Sequence, residues 1–69
     1  MKIYSITDNG ARAAKSVHNP STGAYRVLYY LARVGSATTE QIQTGTGLDD
    51  SDMRVSLSLL VKNRLITRG

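Results

Sequence analysis

The chain has 69 residues, no cysteine, one histidine and a formal net charge of +4. Without cysteine there are no disulfides or thiolate metal sites, and His18 by itself cannot build an imidazole-rich one, so no cofactor is expected. No apolar run approaches the roughly 20 residues that span a bilayer. The first seven residues lack the charged head and apolar stretch of a secretory signal, which makes a cytoplasmic protein the expectation.

Residues 2–6 read as a strand, with Tyr4 and Ile6 facing one side and Ile3 the other. Thr7-Asp8-Asn9-Gly10 then turns the chain. Thr7 is placed to cap a short helix over residues 8–17, and Asp8 sits near the positive end of its dipole. Ala11, Ala13 and Ala14 favour that helix and Gly10 weakens it. Asn19-Pro20 suits the start of a second helix, because Asn is a good N-cap and proline lacks an N–H that the first helical position does not use. This helix is expected to run to Val34 and to end at Gly35. Ala24, Val27, Leu28, Leu31 and Val34 recur at helical spacing as its buried stripe. Tyr25 and Tyr29 fall off the stripe and Tyr30 lies at its edge.

Ser36-Ala37 is compatible with a very short strand. Thr38-Thr39-Glu40-Gln41 matches a capping box and opens a short helix to residue 44 or 45, with Ile42 as its main core residue. Gly45-Thr46-Gly47-Leu48 breaks the chain. Asp49 caps a third, longer helix to residue 63, with Asp50 and Asp52 in its first turn. Met53, Leu57 and Leu60 are spaced to face the core, with Val61 alongside. Residues 65–68 read as a closing strand. The elements therefore predict an α+β domain, mostly α, spanning residues 1–69.

Charge is distributed unevenly. Residues 1–34 carry five bases against one acid, residues 35–53 four acids and no base, and residues 54–69 four bases and no acid. A basic balance points weakly to an anionic partner. So small a core also leaves room for stabilisation by a second copy, and a homodimer through Tyr25, Tyr29 and the N-terminal helix is the expectation.

A short capped helix, a Gly-containing turn and a longer helix form a helix-turn-helix arrangement. Residues 37–68 resemble winged helix-turn-helix transcription regulators of the broad MarR/PadR-like kind. The likeness rests on Thr38–Gln41, Thr46-Gly47-Leu48, the helix with Leu57 and Leu60, and Leu65-Ile66. A second likeness is out of order. Residues 4–12, Tyr4-Ser5-Ile6-Thr7-Asp8-Asn9-Gly10-Ala11-Arg12, look like that family's last wing strand and the start of its closing helix, which normally follow the strand at 65–68. One reconciliation is a circularly permuted layout with the N-terminal strand antiparallel to the C-terminal one, which puts Met1 beside Gly69. The other makes residues 2–6 an edge strand unrelated to any wing.

The resemblance implies binding of double-stranded DNA by a transcriptional regulator, with the third helix in the major groove. Ser51, Arg54, Val55 and Ser58 are the candidate groove residues, Arg54 standing either on guanine or phosphate or in an i, i+4 pair with Asp50. Thr39 and Gln43 are candidates for phosphate from the preceding helix. Lys62, Arg64, Arg68 and Lys2 are expected to cluster along the sheet edge and add salt-dependent phosphate contacts. Asp49, Asp50 and Asp52 depart from the pattern, since they put negative charge where a groove-entering helix meets a polyanion. The competing function class is an interaction or assembly module that does not read bases. No nucleophile motif, phosphate loop or carboxylate pair accompanies His18, so an enzyme is not expected.

Overall fold

The computed structural model describes residues 3–16 and 23–69. Strand β1 (Ile3–Ile6) buries Tyr4, leaves Ile3 exposed and half-buries Ile6, as a two-residue period requires. Thr7 then organises the corner into helix α1 (Asp8–Ser16). Its Oγ1 accepts from the Gly10 N–H at 3.0 Å, capping the helix, and its hydroxyl lies 2.9 Å from the carbonyl oxygens of both Arg64 and Leu65. The Thr7 N–H donates to the Leu65 carbonyl as well, at 3.1 Å. Gly10 is a packing residue rather than a helix-weakening accident: α1 passes so close to the Leu65 carbonyl that any Cβ would overlap it.

Helix α2 (Gly23–Val34) is central and packs against α1, α3 and α4. Val27, Leu28 and Leu31 are completely buried, and Ala24 packs partly against the core. Val34 departs from the expected stripe, being 50% exposed. It lies at the trailing edge of the apolar face in the last turn, just before Gly35, at φ 85°, swings the chain into β2 (Ser36–Thr38). The expected Asn19-Pro20 start of this helix lies outside the described residues.

Helix α3 (Thr39–Thr46) begins with the complete capping box: the Thr38 Oγ1 accepts from the Gln41 N–H and the Gln41 Oε1 from the Thr38 N–H. It reaches one residue beyond the expected end, and Gly47 closes it in the left-handed conformation, donating to the Gln43 carbonyl. The flat ring of Tyr30 lies over Gly45, where a side chain would collide with it, so one of the three α2 tyrosines packs on the core.

Helix α4 (Asp50–Lys62) starts at Asp49, whose carboxylate accepts from the Asp52 N–H at 2.7 Å. Met53, Ser56, Leu57 and Leu60 are buried against α2 and the sheet. Val61, expected alongside them, is 38% exposed because it sits on the flank of the helix rather than on its inner face. After Asn63 the N–H of Arg64 donates to the Val61 carbonyl and that of Leu65 to the Leu60 carbonyl. This is a Schellman closure, with Arg64 at φ 61° in the position usually held by glycine. Leu65 therefore belongs to the turn, and strand β3 (Ile66–Arg68) begins one residue later than expected.

The terminal strands pair antiparallel, Tyr4 opposite Arg68 and Ile6 opposite Ile66. The sheet has three strands, however, not two. β2 adds to the other side of β1 with Ala37 opposite Tyr4, giving the order β2-β1-β3. β1 is thus the middle strand, which removes the reading of residues 2–6 as an edge strand. The architecture is α+β, mostly helical, with Tyr4, Ala37 and Ile66 closing the core from the sheet side. Among the described residues no helix is long and apolar enough to cross a membrane.

Candidate nucleic-acid interface

The inward face of α4 fixes what the rest of the helix presents. With Met53, Ser56, Leu57 and Leu60 turned to the core, Ser51, Val55, Ser58 and Lys62 follow one another at i, i+4, i+7 and i+11 along the outermost line, and all four are exposed. Arg54 and Val61 occupy the flank toward the sheet, and Leu59 the opposite flank.

An open groove of about 600 Å³ runs between that sheet-side flank, β1 and β3. Tyr4, Met53, Leu57 and Val61 contribute its apolar part, Asp50, Arg54 and Ser58 line it from α4, Arg68 from β3 and Thr39 from the first turn of α3, so one carboxylate shares the groove with the two arginines. Register explains how Arg68 reaches it. Arg68 and Tyr4 are directly opposed across the β1–β3 ladder, so their side chains share a face of the sheet. Two guanidinium groups from distant parts of the chain thus border one groove. The sequence places Tyr4 on one face of a strand, opposite Ile3, and assigns it no part in a site. Its part in the groove depends on which strand lies beside β3, and that is a long-range fact.

The groove gathers Thr39, Arg54, Ser58 and Arg68 from the expected set. Val55 and Lys62 stand with Arg54, Ser58 and Leu59 around a shallow hollow on the outer side of α4. Arg64 and Arg68 border a third depression, beside Thr7, Val61 and Thr67. The expected single basic edge of Lys62, Arg64 and Arg68 is therefore divided. Lys62 stays with the outward face of α4, while the Schellman turn carries Arg64 over to the sheet side. Gln43 is half-buried on α3 and Ser51 is exposed in the first turn of α4, and neither lines the groove. Lys2 and Met1 lie outside the described residues.

The acidic start of α4 has structural work. Asp49 is the N-cap. Asp50 pairs with Arg54, its Oδ2 lying 3.1 Å from the Nε. Both partners are largely exposed, and such i, i+4 pairs contribute only about 0.3–0.5 kcal/mol. Asp52 faces solvent in the first turn, where the helix dipole favours a carboxylate. All three carboxylates lie at the N-terminal end of α4, Asp50 on the groove side beside Arg54, and no acid interrupts Val55, Ser58 and Lys62. Among the described residues no cluster of acids, histidines or cysteines is arranged to hold a metal ion.

At the other end of the sheet from Thr7, the Gly69 N–H donates to the Ile3 carbonyl at 2.8 Å. Gly69 and Ile3 therefore meet where an antiparallel hairpin would turn. No protein-family model, curated protein or solved structure matches the chain.

Proposed function

We propose that this domain is a winged helix-turn-helix with a circularly permuted strand order, and that it binds double-stranded DNA as a transcriptional regulator. In this reading α3, the Gly47 turn and α4 form the helix-turn-helix. β3 and β1 are the two arms of the wing, and their open ends at Gly69 and Ile3 stand at its tip. The outward line of α4 enters the major groove, and the wing lies along the adjoining backbone. The observation that carries the reading is the groove lined by Arg54 from α4 and Arg68 from β3, with Thr39 and Ser58 as neutral donors and a single carboxylate, Asp50, that is paired with Arg54. Two cations and two hydroxyl groups against one acid leave the groove net positive and suit a phosphate backbone, where bidentate guanidinium contacts are strong. Arg54 reaches phosphate or a guanine edge by exchanging its weak, solvent-exposed pair with Asp50 for a charge-assisted bond to DNA.

Fluorescence anisotropy with a labelled random-sequence duplex, at several salt concentrations, tests this. Binding should weaken steeply with salt, and Arg68→Ala should lower the log–log slope by about one, the signature of one lost phosphate contact. Absence of binding at low salt would overturn the proposal.

A second reading, an assembly module, is favoured by a separate surface. Between α1 and α2 lies an apolar crevice of about 500 Å³ lined by Ala11, Ala14, Ala32 and Tyr29, with Lys15 and Arg33 at its rim. Tyr29 is 43% exposed and Tyr25, one turn earlier on α2, is 44% exposed; aromatic residues of this kind anchor interfaces. If a homodimer forms there, sedimentation should show a concentration-dependent dimer that Tyr29→Ala reduces to monomer. A dimer indifferent to Tyr29→Ala would place the contact elsewhere.

A further inference from the structure

The outward line of α4 contains a side chain that neither folding nor solubility requires. Val55 is 66% exposed, the largest value among the large apolar side chains of the described residues. It has no place in the core, and a β-branched residue is a poorer helix former than the alanine, lysine or glutamate that an exposed helical position accommodates. Leu59, one turn on, is 48% exposed. The two flank a shallow hollow of about 440 Å³ that also touches Ser58, with Arg54 and Lys62 as its charged borders. An apolar patch bounded by two cations, with no carboxylate among its lining residues, matches an apolar group carried on a polyanion. The major groove offers one such group, the 5-methyl of thymine, which is read by aliphatic contact.

We infer that the Val55–Leu59 hollow receives the 5-methyl group of thymine, so that this domain prefers thymine-containing sites in the major groove. The inference rests on the DNA-binding reading above and adds a base class to it. Arg54 and Lys62 take the phosphates or purine edges on either side, and Ser58 supplies a small polar contact that does not crowd the methyl. Uracil pairs as thymine does and differs from it in the major groove by this one methyl, which makes it the appropriate probe.

Anisotropy titrations should compare a duplex of alternating d(A-T) with one of alternating d(A-U) at the same length and salt. Removing one methylene-sized apolar contact should weaken binding roughly fourfold per contacted thymine. Val55→Ala should bind the two duplexes alike, whereas Val55→Thr, which keeps one γ-methyl, should retain part of the preference. Equal affinity of the unaltered protein for both duplexes would overturn the thymine assignment while leaving DNA binding intact. A full preference persisting in Val55→Ala would remove Val55 from it. Failure to bind either duplex at low salt would overturn this inference together with the reading beneath it.

Discussion

Arg64 holds a backbone conformation that its side chain disfavours. At φ 61° it occupies the glycine position of a Schellman closure, where a Cβ costs about 1–2 kcal/mol. Strain of this kind persists where the side chain is useful, and here it puts a guanidinium beside Arg68 and Thr7 on the sheet side of α4. Arg64→Gly should therefore raise stability by roughly 0.5–1 kcal/mol in urea unfolding, after allowance for the greater freedom of glycine in the unfolded chain. The same variant should bind duplex DNA more weakly and with a shallower salt dependence. A substitution that stabilises and leaves binding unchanged would reduce Arg64 to a helix terminator. Gly10 is the opposite case. Its missing Cβ is what lets α1 lie against the Leu65 carbonyl, so Gly10→Ala should cost about 1–3 kcal/mol through overpacking, although alanine is the better helix former. A gain in stability from Gly10→Ala would show that α1 does not pack so closely.

The helix ends separate what holds the fold from what faces a ligand. Asp49 is both the cap of α4 and a negative charge at its exposed tip. Asparagine caps as well as aspartate, so Asp49→Asn should leave stability within about 0.5 kcal/mol, while Asp49→Ala should lose about 1 kcal/mol. Both variants remove one charge that repels a polyanion, and both should bind DNA more tightly than the unaltered protein at low salt, the difference fading as salt rises. Unchanged affinity in both would mean that the N-terminus of α4 stays away from DNA.

These caps were legible in the sequence for a physical reason. A capping box, an Asp cap and a left-handed glycine each involve residues within about four positions of one another, and local hydrogen bonding decides them. Thr38–Gln41, Asp49 and Gly35 are accordingly where the pattern puts them, whereas α3 runs past its expected end to Thr46 before Gly47 closes it. The features it did not yield join distant segments. The pairing of the short strand at Ser36–Thr38 with β1, the exposure of Val34 and Val61, the ring of Tyr30 over Gly45 and the contact of Gly10 with Leu65 depend on which elements become neighbours. The candidate site divides in the same way. The outward line of α4 follows from its apolar face, but the meeting of Arg54 with Arg68 depends on β1 lying beside β3.

At the scale of the whole molecule, the first and last strands pair, which brings distant ends of the described chain together, and the acidic middle supplies Glu40 on α3 and the three aspartates at the start of α4. Pairing depends on geometry rather than on the order of strands along the chain. In a permuted wing, β1 should behave as the return arm of a hairpin whose connection has been moved. Joining Gly69 directly to Met1 leaves Gly69, Met1, Lys2 and Ile3 between the opposed residues Arg68 and Tyr4, a length from which antiparallel hairpins are commonly made. Opening the chain between residues 18 and 19 would then restore the sequential order of helix, strand, helix, helix, hairpin and closing helix. Such a permutant should unfold in one cooperative transition, show the same far-UV circular dichroism and retain the slope of DNA affinity against salt. Retention of structure with loss of DNA binding would mean that the unjoined strand tips around Ile3 and Gly69 take part in the contact. Collapse of the permutant into a non-cooperative state would show that β1 is not a displaced hairpin arm, and the winged reading of the sheet would fall with it.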